Sequence, residues 1–101
     1  MLRSPKVIAS YGDEATRDVH YADNTKAART VPKDIWPICR RKLNQIAAAT
    51  QLGDLASPGN NVEKLKGNLA GWYSVRINDQ WRILFAFEKG HASGARIADY
   101  H

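Results

Sequence analysis

The sequence predicts an α+β fold: a strand and two helices, followed by an antiparallel sheet of three to four strands onto which the helices pack. Three observations carry this reading. Apolar residues up to Ala49 recur at helical spacing, those from Val62 onward recur with a period of two, and Ser57-Pro58-Gly59-Asn60 punctuates the change. With 101 residues, 44% hydrophobic and 25% charged, the chain is expected to form one domain over residues 1–101.

The elements follow in order. Val7–Tyr11 (VIASY) is a short apolar run suited to a first strand and ended by Gly12. Asp13 is placed to cap a helix over Glu14–Ala22, where an acidic first turn complements the helix dipole. A second helix begins at Thr30–Pro32. Its apolar positions Ile35, Cys39, Leu43, Ile46 and Ala49 form one stripe, which Arg40, Arg41 and Lys42 flank or face away from. Pro37 removes a helical hydrogen bond, so a kink or a late start is expected. Strands follow at Val62–Lys66, Trp72–Ile77, Trp81–Phe87 and Ala95–His101, the last entered from Gly90 and Gly94.

Parity sets the register of the central hairpin. A three-residue loop, Asn78-Asp79-Gln80, pairs Ile77 with Trp81, Val75 with Ile83 and Tyr73 with Phe85. A two-residue loop would set Val75 against Arg82 and mix apolar with polar faces. The chosen register puts Arg76 opposite Arg82. Facing like charges need a carboxylate or another anion nearby: Asp79, Glu88 or Asp99, or a bound phosphate.

Charge narrows the function classes. The net charge is +5, and Lys26, Arg29, Lys33, Arg40, Arg41 and Lys42, against Asp34 alone, account for all of it within residues 24–42. Such a stretch is either a solvated helix face or a surface for a polyanion such as RNA. No window approaches the ~18 consecutive apolar residues of a membrane span. The first residues hold no secretory-signal core, so no membrane association and a cytoplasmic location are expected. The single cysteine, Cys39, lies on the apolar stripe and fits a reducing compartment better than a nucleophile's role. No Cys/His cluster has metal-ligand spacing and no glycine-rich phosphate loop occurs, so neither a metal nor another cofactor is expected.

Polar groups collect on the C-terminal strands: Glu63, Lys64, Lys66, Arg76, Arg82, Asp99, Tyr100 and His101. Cleaving RNA without a metal needs a base for the ribose 2′-hydroxyl, cations on the phosphorane and an acid for the leaving 5′-oxygen. A carboxylate or His serves as base or acid, and Lys and Arg supply the charge. Trp72 and Trp81 are possible base-stacking platforms, although aromatics on a hairpin are more often core.

The run NNVEKLKGNLAGWYSVRINDQWRILFAF with its terminal IADYH resembles the HigB-type killer toxins of the RelE superfamily. LKG at Leu65–Gly67, INDQWRI at Ile77–Ile83 and DYH at Asp99–His101 carry the likeness most strongly, and RRKLNQIAAATQLGDLASPGN extends it backwards. The resemblance implies the microbial-ribonuclease-like RelE fold. It also implies a toxin that cuts mRNA in the ribosomal A site, leaving a 2′,3′-cyclic phosphate, and a cognate helix-turn-helix antitoxin of HigA type. Position by position, Lys66 is similar to the family's phosphate-binding lysine and Arg82 to the arginine on the scissile phosphate. Asp99 and His101 match the terminal acid–base pair, and Tyr100 the aromatic between them. Glu63 stands where some members carry histidine; a carboxylate there can act as the base. Arg76, Lys64, Lys33, Arg40, Arg41 and Lys42 are then expected to bind RNA. The alternative is a catalytically weak or inactive module of the same fold, acting by binding an antitoxin and its operator complex.

Overall fold

The computed structural model describes residues 8–99. Helix α1 spans Glu14–His20; Asp13 caps it, its Oδ1 accepting from the Thr16 amide at 2.9 Å. Helix α2 spans Trp36–Ala48. Pro37 produces the late start: Lys33–Ile35 forms a 3-10 turn first, and Pro37 then occupies the opening turn of α2, where its missing N–H costs nothing. The expected stripe is the buried face, with Ile35, Cys39, Leu43, Ile46 and Ala49 all buried.

The four strands are β1 (Glu63–Lys64), β2 (Trp72–Arg76), β3 (Trp81–Glu88) and β4 (His91–Asp99), hydrogen-bonded antiparallel in the order β1-β2-β3-β4. The hairpin has the register that parity favoured: Tyr73 faces Phe85, Val75 faces Ile83 and Arg76 faces Arg82. Val75, Ile77, Ile83, Phe85 and Ile97 pack with Val19, Cys39, Leu43 and Ile46 in one core between sheet and helices. Each such buried side chain contributes roughly 1.5–3 kcal/mol.

Against the sequence expectation, the helix read as Glu14–Ala22 ends at His20, the strand read as Val62–Lys66 is only Glu63–Lys64, and the first and last strands differ more. The last strand starts at His91 because Lys89 (φ 52°) and Gly90 (φ 79°) make a tight turn with Glu88 paired to His91. Two consecutive positive φ values suit the right-handed twist of a two-residue hairpin. Gly94 (φ 63°) lies within β4, where the register against Leu84 and Ala86 shifts by one residue; it absorbs a β-bulge rather than opening the strand. The first-strand segment is extended beside β4, through Ala9 N–H to Ala92 O (2.8 Å) and Ala95 N–H to Ser10 O (3.2 Å), but makes a single parallel bridge, Tyr11 to Ala95. Val7 lies outside the described residues, as do Tyr100 and His101.

Candidate active site

Residues opposite one another in a sheet share a face. The face turned from the helices therefore carries Glu63 of β1, Trp72, Ser74 and Arg76 of β2, Arg82, Leu84 and Ala86 of β3, and Ser93, Arg96 and Ala98 of β4. None of these belongs to the core between sheet and helices.

Arg82 is the fixed centre of this face. Its Nε donates to Ser74 Oγ at 2.8 Å, and its Nη2 donates to the carbonyl of Asn61 and, at 3.5 Å, to that of Ser74. Glu63 Oε1 lies 3.9 Å from Nη2; the arginine side chain is 10% exposed and the glutamate 58%. A solvent-facing carboxylate thus sits beside a guanidinium that cannot swing away. Chemically, that pairs a proton acceptor with a positive charge already in place, an arrangement that requires little reorganisation when an anion develops nearby.

The charge conflict between Arg76 and Arg82 is resolved within the protein. Arg76 turns to Asp79 in the hairpin loop, through Nη2 to Oδ1, while Arg82 turns to Ser74, Asn61 and Glu63. Neither arginine needs a bound phosphate to tolerate the other, so the facing pair is not by itself an anion site.

The other expected residues are less closely gathered. Lys66 is exposed just beyond β1, where it precedes the 3-10 turn Gly67–Leu69. Lys64 is exposed and pairs with Tyr73, so the pleat directs it opposite to Glu63. Asp99 pairs with Trp81, whereas Arg82 pairs with Ala98; Asp99 and Arg82 therefore leave the sheet on opposite sides. The Asp99 carboxylate accepts from Gln80 Nε2 at 3.1 Å. The structure does not bring Asp99 to Arg82.

The basic segment also divides. Arg40 and Arg41 are exposed on α2, and Lys33 is exposed with its ammonium 5.5 Å from the centre of the Trp36 ring. Lys42, expected with them on the RNA-facing surface, is buried at 7% exposure. Its Nζ donates to Arg76 O at 2.6 Å and to Gly59 O at 3.2 Å, tying α2 to the end of β2 and the preceding loop. Burial, reinforced by Arg41, Arg76 and Arg82, holds its ammonium below the ordinary lysine range. This is a correction: Lys42 is a structural pin.

Two residues that hold the site escaped the sequence reading. Ser74 is fully buried and anchors Arg82; its place between Trp72 and Arg76 on the polar face was the available signal. Asn61 contributes a carbonyl from a backbone at φ 42°, and no side-chain pattern announces a backbone acceptor. Among the described residues, no three His, Cys, Asp or Glu side chains gather to hold a metal ion. Nor is any helix there long and apolar enough to cross a membrane.

The chain matches the HigB-like toxin family, described as the RelE-like toxin of type II toxin-antitoxin system HigB, over residues 10–101. Toxin HigB-1 of Vibrio cholerae is 40% identical over 73 residues, which cover 71% of this chain and 77% of that protein. Endoribonuclease HigB of Proteus vulgaris is 35% identical over 60 residues, 59% of this chain and 65% of that protein. In architecture the chain is similar to the YoeB dimer from Staphylococcus aureus, with a TM-score of 0.61 at 23% identity over 95% of this chain and 98% of the other. It is likewise similar to the YoeB-YefM complex from Staphylococcus aureus, with a TM-score of 0.59 at 24% identity, covering 93% and 97% of the two chains. These two likenesses establish the fold.

Proposed function

The chain belongs to the HigB-like, RelE-like toxins of type II toxin-antitoxin systems, and from that premise we propose that it is a cytoplasmic endoribonuclease that cuts mRNA in the ribosomal A site. The observation that carries the reading is the Glu63–Arg82 pair on the sheet face away from the helices. A relative named an endoribonuclease supports the chemistry.

In this proposal Glu63 takes the proton of the ribose 2′-hydroxyl, whose oxygen attacks the adjacent phosphorus. Arg82 and Lys66 stabilise the charge that gathers on the phosphoryl oxygens. The bond to the 5′-oxygen breaks, that oxygen leaves with a proton from the terminal acid His101, and a 2′,3′-cyclic phosphate remains. Tyr100 orients the base. No metal or other cofactor takes part. Positioned acid–base groups contribute roughly 10²–10⁴-fold, and fixed cations a comparable factor. The exposed Lys33, Arg40 and Arg41 lie in sequence well before these groups and form the surface that meets ribosomal RNA. A HigA-type helix-turn-helix antitoxin is the protein partner; membership of a toxin family of type II toxin-antitoxin systems supports a partner of that role.

The experiment is in vitro translation with mRNA 5′ ends mapped, comparing wild type with Glu63→Gln, Lys66→Ala, Arg82→Lys and His101→Ala. Arg82→Lys replaces the usual alanine because truncation would strip buried groups of their partner. The proposal expects each variant to lose cleavage while retaining a cooperative melt. Undiminished cleavage in all four variants would overturn the site assignment.

One observation favours a second reading, a catalytically weak module that binds an antitoxin and its operator complex. Arg82 is already satisfied by its own chain and Asp99 lies on the other side of the sheet. Intact mRNA together with stoichiometric antitoxin capture by wild type would select that reading.

A further inference from the structure

We propose that Trp72 is a nucleobase-stacking platform on the sheet face away from the helices, taking one base of a single-stranded RNA beside the scissile bond. The proposal rests on the ribonuclease reading above and extends it to a residue that nothing in that chemistry uses.

Large aromatic side chains fill cores, and Trp36, Trp81, Phe85 and Phe87 pack in or against this one. Trp72 does not. It points to the opposite face and stays half-buried. Its position there is unusual. A Cβ built on Gly94 would lie 2.6 Å from Trp72 Cη2, 3.3 Å from Cζ3 and 3.5 Å from Cζ2, so the far edge of the indole rests on Gly94. Gly94 is on β4 and Trp72 on β2, with Ala86 of β3 between them. Two strand spacings amount to roughly 9.6 Å, which a tryptophan spans only by lying along the sheet rather than standing out of it. Ala86 and Gly94 make the small-residue floor that permits this. A ring laid down on that floor packs against the protein, and Trp72 keeps part of its surface accessible on this face.

The surroundings fit a nucleic acid better than an apolar partner. Arg76, Arg82 and Arg96 share this face, and Arg96 is exposed and forms no ion pair among the described residues. Cations beside an exposed aromatic face are how proteins hold single-stranded RNA: the cations track the backbone while the ring takes a base. The Arg82 guanidinium is held at Ser74, two residues or roughly 6.6 Å along β2 from Trp72, and reaches towards Asn61 and Glu63, whereas the ring reaches the other way, to Gly94 of β4. The ring therefore lies beside the reacting ribose rather than on it. It takes a neighbouring nucleotide and sets the register of the strand.

The test uses the full-length protein and a fluorescein-labelled 2′-O-methyl oligoribonucleotide, which lacks the attacking hydroxyl, read by anisotropy. A parallel series carries an abasic nucleotide at each position in turn. Trp72→Ala is expected to weaken binding roughly 5- to 150-fold, the range for removing one base–aromatic stack, while Trp72→Phe retains most of it. At one position the abasic nucleotide costs wild type a comparable factor and costs Trp72→Ala nothing further. Should Trp72→Ala melt below the assay temperature, Trp72→Leu, which keeps an apolar cover over Gly94 without a π face, takes its place and must show the same loss. Three results overturn the platform: wild-type affinity in a folded variant, the same loss at every abasic position, or no binding of the oligonucleotide by wild type. Ribosome-dependent cleavage by wild type is scored separately. Cleavage without the Trp72–abasic coupling removes the platform and leaves the nuclease; the coupling without cleavage does the reverse.

Discussion

Replacing Lys42 with methionine and, separately, Arg41 with methionine distinguishes a structural cation from a binding one at adjacent positions. Lys42 Nζ donates to Arg76 O at 2.6 Å and Gly59 O at 3.2 Å. Methionine keeps most of the buried stem but leaves both carbonyls without their donor, at a cost of about 1–3 kcal/mol for each one that stays dry. Gly59 is exposed and its carbonyl can turn to water, so one full loss is expected. Against it stands the relief of no longer burying a cation among Arg41, Arg76 and Arg82. The net is about 1–2 kcal/mol of destabilisation, or about 4–16 °C in Tm for a domain of this size. Arg41 is exposed, and its replacement should move stability by no more than about 0.5 kcal/mol. Ribosome binding should respond the other way. Plotted as log affinity against log salt, the slope should fall by roughly 0.7–0.9 in Arg41→Met, one phosphate contact, and stay unchanged in Lys42→Met. Thermal melts and a salt titration of ribosome binding measure both. A Lys42→Met protein that melts with wild type, or whose salt slope drops as that of Arg41→Met does, refutes the assignment of Lys42 as a pin.

Other consequences follow from single contacts. Ser74→Ala deletes the acceptor of Arg82 Nε in a buried setting and should cost about 1.5–3 kcal/mol in urea unfolding; unchanged stability would mean the serine does not hold the guanidinium. Burial pushes the Cys39 thiol up to about 12 from its usual 9.0, so above pH ~9 unfolded chains ionise while folded ones stay protonated. The unfolded state then binds fewer protons, and stability falls as pH rises from 9 towards 12; Cys39→Ala should show a shallower decline, and identical slopes would exclude the thiol as its source. Asp13→Ala removes the cap of α1 and should cost about 1 kcal/mol in Tm-derived stability, whereas Asp13→Asn should cost little; equal losses would point to charge rather than capping.

How far the sequence could be read depended on whether the relevant contact has a period. The stripe from Ile35 to Ala49 and the pairing of Val75 with Ile83 were legible because burying one face of a helix or strand leaves a repeat. Gly94 misled because glycine both ends strands and absorbs bulges, and only the ladder between β3 and β4 distinguishes the two. Lys42 reads as a surface residue because charge marks residues that are mostly exposed, and the carbonyls of Gly59 and Arg76 that receive it leave no trace in the side-chain pattern. The same holds for Asn61, whose carbonyl helps to fix Arg82. Glu63 and Arg82 were both named from the sequence; their proximity is what the fold adds.

The most direct test of the account places the same message on programmed ribosomes and free in solution, adds the purified wild-type protein to each, and maps the new ends. The account predicts cuts on the ribosome-bound message alone, with a 2′,3′-cyclic phosphate on one fragment and a 5′-hydroxyl on the other. Cuts at the same rate in naked RNA would contradict ribosome dependence, and intact message in both samples would contradict the nuclease itself.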